Sequence, residues 1–356
     1  MKPAPQIEFL SFFPATASDP DLSIAAVVAW HQGRWVFVKS KNRDTLSLPV
    51  GRREQDEDII ATAHRELFEE TGATRFQLIP MTRYIVRDSD GGSHGVLFFA
   101  AIEELGPLPD SEIEKVVLLD HCPRELAYPE IQTVLFRHVM RQTALFRKIQ
   151  GYSHLIWDWN GTLLDDVAIS VDVISDVLRE YGLPVISLEE YRSVFSFPVI
   201  EYYRKLGFDF GRYSFEEVGD KFVARYRERA ASARLFEGVS LTLEVLARRK
   251  VHQSILSAAS QVHLDEITGR HGIDHLFQHI FGIDNHYAAS KLARGRELLR
   301  TSAIDPSKTL FIGDTDHDLE VGHALGTEVL LIADGHQDYK TLAAKHPNVL
   351  RTRFEA

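Results

Sequence analysis

The stretch from Gly51 to Ala73 constrains the fold of this chain more than any other part of it. Apolar residues recur at helical intervals between residues 57 and 71, and glycine, found at residue 72, commonly follows the last residue of a helix. Glu66, Glu69 and Glu70 occupy positions i, i+3 and i+4, so they project from one side of this helix. Their like charges repel one another unless a divalent cation lies between them. The stretch therefore predicts a helix that carries a metal site.

The same stretch resembles the signature of the Nudix hydrolases. Gly51, Glu57, Arg65 and Gly72 stand at the intervals of that signature, and the glutamates of the helix complete it. In that family the glutamates bind Mg²⁺ or Mn²⁺ beside the diphosphate of the substrate. The resemblance implies a hydrolase that cleaves a pyrophosphate bond in a nucleoside triphosphate or a nucleoside diphosphate-linked substrate.

The resemblance also assigns roles to individual residues. Glu66 and Glu69 are the candidates for catalysis and metal binding, and Glu70 is a further metal ligand. Arg65 and Glu57 are expected to form an ion pair that orients the helix against the loop at Gly51. A metal ligand from a later segment is usual in the family. We expect Glu114, rather than Glu112, to supply it here.

Strand-like and helix-like segments alternate after about residue 150, a pattern typical of a doubly wound parallel sheet. The insert at 165–235 is helical in pattern and interrupts this alternation after the first strand. Before it, a long amphipathic helix at 128–149 is expected to close the first domain, with its apolar stripe near Ile131, Val134, Leu135, Val139, Leu145 and Phe146. Strands are predicted at 22–30, 34–40 and 45–50 in the first half, with a turn at 88–93. In the second half they are predicted at 154–159, 251–257, 279–283, 309–314 and 328–333.

Several chemically active side chains stand at the expected carboxyl ends of these strands, where such sheets form their sites. They are Asp158, Ser257 and Asp314, with Asp318 following in the next helix and Lys291 opening another. These residues, in this order, resemble the motifs of the haloacid dehalogenase (HAD) superfamily, in the branch of phosphoglycolate phosphatase.

The resemblance implies that Asp158 is a nucleophile that forms an aspartyl phosphate. Asp158, Asp314 and the backbone carbonyl of Asn160 would hold Mg²⁺, and Asp318 would support the metal. Ser257 and Lys291 would hold the phosphoryl oxygens. The insert at 165–235 matches the helical cap of that branch.

One position departs from the HAD pattern. Asn160 stands where the family has a second aspartate, which protonates the leaving group and later activates water. An amide does neither near neutral pH, and loss of a general acid or base slows a reaction roughly 10²- to 10⁴-fold. Three interpretations remain open: a slow phosphatase, a phosphatase for substrates with good leaving groups or their own proton, and a module that binds a phosphorylated metabolite and regulates the Nudix domain.

Composition limits the partners and the architecture. A chain of 356 residues is long enough for two cores. We expect an α/β protein with a Nudix α/β/α sandwich at 1–149 and a HAD-like doubly wound parallel sheet at 150–356. The net charge of −11 disfavours a polymeric nucleic acid but leaves small phosphorylated metabolites or nucleotides as substrates. The chain contains no long apolar run and a single cysteine, Cys122, which favour a cytoplasmic protein without membrane contact.

Overall fold

The computed structural model of the chain describes residues 6–10, 19–88, 91–283 and 291–354. The chain forms two compact units, Met1–Gln142 and Thr143–Ala356. The domain boundary expected after residue 149 falls within the second of these units. No helix in the described ranges is long and apolar enough to cross a membrane.

The first unit combines one sheet with two helices. Its elements are β1 (Gln6–Phe9), β2 (Leu22–His31), β3 (Arg34–Ser40), β4 (Leu46–Ser47), β5 (Val50–Arg52), α1 (Ile59–Thr71), β6 (Ala73–Asp88), β7 (Gly91–Leu105), β8 (Ile113–Leu119) and α2 (Pro129–Gln142).

The sheet is built around β2, an almost continuous apolar run that is buried along most of its length. Its strand order is β1-β6-β7-β2-β3-β4, with β5 also paired to β2 and β8 paired to β3. The pairing of β2 with β7 is parallel, whereas β3 and β5 pair with β2 in the antiparallel sense. Because β5 lies beside β2 and α1 follows it in the chain, β5, which contains Gly51, is brought against α1.

The two helices cover opposite faces of this sheet. Val36 belongs to the core cluster that includes the apolar side of α1. The neighbouring strand residues Trp35 and Phe37 point the other way, and both rings contact Phe136 of α2. The expected α/β/α sandwich is therefore present.

Three local expectations for the first unit need correction. Residues 45–50 form two short strands, β4 and β5, instead of one, because Pro49 has no N–H with which to continue a ladder. The single helix expected at 128–149 is two helices, since α2 ends at Gln142 and a separate helix begins at Ala144. Val134 was expected on the apolar stripe and is instead 38% exposed. The turn expected at 88–93 lies partly outside the described residues.

The second unit is a parallel sheet with a helical insert. Its elements are α3 (Ala144–Lys148), β9 (His154–Trp157), β10 (Leu164–Asp165), α4 (Val167–Glu180), α5 (Leu188–Val194), α6 (Val199–Lys205), α7 (Phe215–Ala230), β11 (Arg234–Leu235), α8 (Val239–Arg248), β12 (His252–Ser260), α9 (Gln261–His271), β13 (His279–Ile283), α10 (Lys291–Ser302), β14 (Thr309–Gly313), α11 (Asp316–Leu325), β15 (Glu328–Ile332), α12 (Tyr339–Ala343) and β16 (Val349–Leu350).

Its sheet has the strand order β13-β12-β9-β14-β15-β16, and every pairing in it is parallel. The strand β9 lies between β12 and β14, so the residues that follow these three strands meet at one edge. The antiparallel pair β10 and β11 marks the two ends of the insert, in which α4 to α7 bury an apolar cluster of their own. We refer to residues 165–235 as the cap. The HAD-like doubly wound sheet and the helical insert agree with the expected fold.

Candidate active sites

The helix α1 presents the carboxylates of the first unit. Its N-cap is Asp58, whose side chain accepts hydrogen bonds from the first free backbone N–H groups of the helix. Gly72 ends it in the left-handed conformation at φ 71°, which the sequence predicted and which a residue without Cβ adopts at little cost. The apolar residues of α1 face the sheet, so Glu66 and Glu69 are left on its polar side beside β5.

Arg65 organises this polar side. Its Nε lies 2.6 Å from Oε1 of Glu57, and one guanidinium nitrogen donates both to Glu66 (2.7 Å) and to Glu69 (3.1 Å). The other terminal nitrogen donates to the backbone carbonyl of Arg52 at 3.1 Å. The guanidinium lowers the pKa of Glu57 to about 2. The ion pair expected between Arg65 and Glu57 is present, and it links α1 to the loop after β5.

Glu70 and Glu66 are the carboxylates that burial affects most. Glu70 is 8% exposed and accepts a hydrogen bond from the backbone N–H of Val50 at 3.0 Å. Burial raises its pKa to about 8, and burial also raises the pKa of Glu66. A Cβ on Gly51 would lie 1.7 Å from Oε1 of Glu66, so only glycine leaves this carboxylate its place. Close backbone approach, rather than a positive φ, is thus the reason for glycine at this position.

The structure separates the two candidates for a further ligand. Glu114 is an exposed residue of β8 that forms an ion pair with Lys39 at 2.8 Å. Glu112 precedes β8, and its charge contributes to the raised pKa of Glu70. By this measure Glu112 lies electrostatically closer to the carboxylates of α1 than Glu114, which the sequence favoured.

The second unit gathers its candidate residues at the carboxyl edge of the sheet. Asp158 directly follows β9 and is held in register by its N–H, which donates to the carbonyl of Ile312 at 2.8 Å. Lys291 is the first residue of α10, is 4% exposed, and donates to Asp158 and to Asp318 at 2.5 Å each. The buried ammonium thus gives each of the two buried carboxylates a charged partner.

Asp314 and Asp318 are fixed by the loop after β14. Asp314 accepts hydrogen bonds from the hydroxyl of Thr162 (3.0 Å) and from the backbone N–H of His336 (2.5 Å). Asp318 forms a capping box with Thr315, the residue before α11. A Cβ on Gly161, whose φ is 69°, would lie 2.3 Å from Oδ2 of Asp314. The glycine that the sequence placed after Asn160 therefore serves both the turn and the close approach of Asp314.

Asp158, Asp314 and Asp318 each offer an oxygen within 4.8 Å of the others, and all three are buried. Burial raises the pKa values of Asp158 and Asp314. Burial also opposes the charge of Asp318, but Lys291 and Thr315 hold its pKa below the ordinary value. One lysine does not neutralise three carboxylates, and carboxylate oxygens are the ligands that Mg²⁺ prefers. The residues therefore fit a divalent cation.

Within the described residues, this is the one group of three such side chains that converges so closely. Glu66, Glu69 and Glu70 of the first unit do not meet this criterion. The physical reason is Arg65, which draws Glu66 and Glu69 to itself, while Glu70 turns to Val50.

The geometry agrees with two known families. The haloacid dehalogenase-like hydrolase family matches residues 155–332, which is half of the chain. The chain belongs to the haloacid dehalogenase-like hydrolases. The NUDIX domain family matches residues 19–137, so the first unit contains a Nudix domain.

Individual relatives resemble the HAD-like unit. Phosphoglycolate phosphatase of Haemophilus influenzae is 27% identical over 128 residues, which cover 34% of this chain and 55% of that enzyme. N-acetylmuramic acid 6-phosphate phosphatase of Pseudomonas aeruginosa is 25% identical over 186 residues, or 51% of this chain and 82% of that enzyme. A haloacid dehalogenase-like family hydrolase from Streptococcus pneumoniae matches the structure with a TM-score of 0.50 at 20% identity, covering 57% of this chain and 94% of that one. This last likeness concerns the fold alone, and the match to the first relative spans little more than half of its length.

In the HAD-like unit the side chain of Asn160 is held in place by its neighbours. Its Nδ2 donates to Oδ2 of Asp166 at 3.0 Å and to the hydroxyl of Tyr226 at 2.6 Å. Tyr226 belongs to α7 of the cap and also donates to Asp166 at 2.6 Å. The amide thus connects the loop after β9 to the cap, a contact that the sequence did not suggest.

A buried ion pair lies next to this contact. Nε2 of His336 is 3.5 Å from Oδ1 of Asp166, and Nδ1 is 2.8 Å from the hydroxyl of Tyr191. Burial opposes the charge of His336, but Asp166 and other carboxylates raise its pKa to about 9. Burial likewise opposes the charge of Asp166. The pKa of Asp166 is nevertheless lowered by His336, Tyr226 and Asn160. The pair is therefore held in its ionised form.

Two features of the sequence point to this pair. Asp166 stands in the doubled acid LLDD, immediately after the nucleophile motif. His336 follows β15, whose carboxyl end lies at the same sheet edge as that of β14. The rule that sites form at this edge would have selected His336 together with Asp314.

The cluster opens into a cavity of about 650 Å³ between the cap and the sheet edge. Asp158, Asn160, Ser257 and Lys291 line its floor. Ser257, 1% exposed, accepts a hydrogen bond from the backbone N–H of Ala259 at 3.0 Å. All HAD-type residues predicted from the sequence therefore lie in or beside one cavity.

Proposed function

We propose that the chain is a bifunctional phosphohydrolase. The Nudix domain hydrolyses a pyrophosphate bond in a nucleoside triphosphate or a nucleoside diphosphate-linked substrate, and the HAD-like unit hydrolyses a phosphomonoester. The observation that carries the second activity is the group of Asp158, Asp314 and Asp318, which is paired with Lys291 and opens into a cavity of substrate size.

In the HAD-like unit, Asp158 is the nucleophile of the proposal. Its carboxylate oxygen forms a bond to phosphorus as the bond to the leaving oxygen breaks, and the electron pair departs with that oxygen. Water then attacks phosphorus, its proton is lost to solvent, and inorganic phosphate leaves as the Asp158 carboxylate is restored. Asp158, Asp314 and the carbonyl of Asn160 would hold a divalent cation, which would neutralise charge as Asp158 approaches the phosphate. Lys291 screens Asp158, and Ser257 holds a phosphoryl oxygen.

In the Nudix domain, Glu66, Glu69 and Glu70 are the proposed ligands of Mg²⁺ or Mn²⁺. These carboxylates would hold the cation, which would supply positive charge for the diphosphate of the substrate. Arg65 holds Glu66 and Glu69 beside the loop at Gly51, so it is a positioning residue.

The test uses the full chain with one site disabled at a time. Formation of nucleoside monophosphate and release of inorganic phosphate are measured with Mg²⁺ on a panel of nucleotides, nucleotide sugars and phosphomonoesters. We expect Glu69→Gln to remove pyrophosphate-bond hydrolysis alone and Asp158→Asn to remove phosphomonoester hydrolysis alone. The exposed residues Glu104 and Glu201 supply the matched controls Glu104→Gln and Glu201→Gln, which keep both activities.

Either proposed activity is rejected on its own by this test. An activity that persists at the parent rate in its disabled variant does not arise at the proposed site. A HAD-like unit that releases phosphate from no substrate of the panel would instead favour a binding role for that unit.

A second comparison identifies the further ligand of the Nudix domain. Because the charge of Glu112 reaches Glu70 while Glu114 pairs with Lys39, we expect Glu112→Gln to lower pyrophosphate-bond hydrolysis more than Glu114→Gln. The reverse order would restore the assignment first made from the sequence.

A further inference from the structure

We propose that the HAD-like unit acts on aryl phosphates, that is, on phosphomonoesters whose leaving group is a phenol held against the aromatic wall of the cap. This inference rests on the phosphatase activity proposed above and specifies its substrate class. Two independent observations carry it: the absence of a proton donor at residue 160 and the composition of the cavity.

The first observation concerns the proton that a leaving oxygen needs. Residue 160 is an amide, and its Nδ2 is directed to Asp166 and Tyr226 rather than left free. Asp166 accepts hydrogen bonds from Asn160, from the backbone N–H of Gly161 at 2.8 Å and from Tyr226 at 2.6 Å. These three hydrogen bonds engage both oxygens of Asp166 within the protein.

His336 does not replace the missing donor. One of its ring nitrogens faces Asp166 and the other faces the hydroxyl of Tyr191, so both are engaged by the protein. The hydroxyl of Tyr226 likewise donates to Asp166. The protons on Nδ2 of Asn160 and on the hydroxyl of Tyr226 are thus directed to other protein groups rather than to a leaving oxygen.

A substrate that reacts here must therefore release its oxygen without help. An alkoxide is about as basic as hydroxide, for which water has a pKa of about 15.7. A phenoxide is far more stable, since phenols such as tyrosine have a pKa of about 10. When the bond between phosphorus and the leaving oxygen breaks, a phenol keeps the electron pair as the anion and takes a proton from solvent afterwards. The lack of a general acid then slows the departure of the leaving group only a little.

The second observation is the cap side of the cavity. Phe195, Phe197, Phe215, Phe222 and Tyr226 line it, and each is only partly buried by the protein. Phe195 and Phe197 lie edge to face with their centroids 5.5 Å apart, and Phe222 and Tyr226 are stacked at 5.8 Å. Apolar rings left partly uncovered in a cavity are suited to an apolar ligand.

The size of the cavity supports the same conclusion. At about 650 Å³ it is within the range of sites for drug-sized molecules and much larger than a two- or three-carbon phosphate requires. An aromatic leaving group attached to a phosphoryl group on Asp158 would extend into this space and contact rings of the cap. A ring and a stable leaving anion are both properties of aryl phosphates.

The experiment separates the two properties with four probes. Phenyl phosphate has a ring and a stable leaving anion, benzyl phosphate has a ring but leaves as an alkoxide, acetyl phosphate has a stable leaving anion without a ring, and glycerol phosphate has neither. We expect kcat/KM for phenyl phosphate to exceed that for benzyl phosphate at least ~10²-fold, the contribution of a general acid. Glycerol phosphate should be the slowest substrate.

Variants of residue 160 test the role of the proton. Asn160→Asp should raise kcat/KM for benzyl phosphate roughly 10²- to 10⁴-fold and change kcat/KM for phenyl phosphate by less than roughly tenfold, because kcat/KM reports the step that releases the leaving oxygen and not the later attack of water. The double variant Asn160→Asp with Asp166→Asn exchanges the amide and the carboxylate without a change in net charge, so it avoids two adjacent carboxylates. It should show the same selective gain.

Variants of the cap test the role of the ring. Phe197→Ala and Phe215→Ala should raise KM for phenyl phosphate roughly tenfold and change KM for acetyl phosphate much less, since stacking on aromatic side chains acts on the ring alone. Turnover of acetyl phosphate also reports that these variants are folded. Leu188→Ala, at an exposed position of α5, is the matched control and should leave both KM values unchanged.

Each contrary result overturns a defined part of the reasoning. Equal rates for phenyl and benzyl phosphate in the parent protein would show that a general acid is present and would overturn the inference. Unchanged KM values in both phenylalanine variants would overturn the assignment of the ring to the cap. Phosphate release from none of the four probes would instead overturn the phosphatase activity itself, and the inference with it.

Discussion

Replacement of Glu70 by glutamine should stabilise the Nudix domain while it removes a proposed metal ligand. Glu70 is buried, and burial raises its pKa from 4.5 to about 8. Because the folded-state pKa lies above the unfolded value, the folded protein retains a proton that the unfolded chain releases between these two pH values. The contribution of Glu70 to stability is therefore greatest below pH 4.5 and falls as the pH rises to about 8.

The magnitude follows from the size of the shift. At 1.36 kcal/mol per pKa unit, the folded protein loses roughly 3 kcal/mol by pH 7 and roughly 5 kcal/mol above pH 8 when no metal is bound. A glutamine does not ionise, and its carbonyl oxygen still accepts the hydrogen bond from Val50 that Glu70 accepts at 3.0 Å. Glu70→Gln should therefore gain about these amounts over the parent, and nothing at pH 4.

The assay is unfolding of the full chain by urea in EDTA at pH 4, 7 and 8.5. Hydrogen exchange of the buried amides in β2 reports on the first unit by itself. The exposed Glu104→Gln serves as the control and should keep the pH dependence of the parent. Added Mg²⁺ should stabilise the parent, by about 2.7 kcal/mol at one hundred times its dissociation constant, and should stabilise Glu70→Gln less.

Two results would refute the reasoning about Glu70. One is a stability of the parent in EDTA that rises from pH 5 to pH 8. The other is equal stability of the parent and Glu70→Gln at pH 8.5, which would mean that burial of this carboxylate costs nothing.

Three further substitutions have defined outcomes. Lys291→Met leaves two buried aspartates without their counter-charge, so the free energy of unfolding in EDTA should fall by about 3 to 5 kcal/mol. Added Mg²⁺ should restore part of this loss. A urea titration that shows a loss below about 1 kcal/mol would contradict this prediction. Gly51→Ala places a Cβ where the carboxylate of Glu66 lies, so pyrophosphate-bond hydrolysis should fall roughly 10- to 100-fold while the melting temperature changes little. Activity at the parent rate would argue against the close approach of Glu66 to the backbone at Gly51. Arg353→Met removes a buried guanidinium that binds both carboxylate oxygens of Asp334 and a backbone carbonyl. Calorimetry should therefore show a free energy of unfolding of the second unit that is lower by about 2 kcal/mol or more. An unchanged melting temperature would assign Arg353 no structural role.

The elements that the sequence predicted well are those whose burial is uniform along the chain. Strands β2, β3, β9, β14 and β15 are apolar runs bounded by polar or turn residues, and α1 has a helical period with a capping residue at each end. The helix pair α2 and α3 was predicted as one helix, because an amphipathic period continues through the break at Thr143 and does not reveal it. The break is evident only from the tertiary structure, in which α3 packs against α8 of the second unit.

The candidate sites divide in the same way. Glu66, Glu69 and Glu70 are close in sequence and share one helix, so local geometry alone places them on one side. Asp158 and Asp314 were predicted to meet because parallel strands bring their carboxyl ends to one edge. Neither argument applies to a residue that reaches the site from an irregular loop or from the cap.

Residue spacing along the chain was sufficient to select the candidate residues of each site: the carboxylates of α1, the aspartate after β9 and the lysine that opens α10. Tertiary structure alone decided which groups surround them. It paired Asp166 with His336 across 170 positions of the chain and brought Tyr226 of the cap to Asn160. It also decided that the charge of Glu112, rather than that of Glu114, contributes to the raised pKa of Glu70. The physical reason is that local backbone geometry determines where a side chain leaves its own helix or strand, whereas burial and partner charges depend on elements that are distant in sequence and adjacent only after folding.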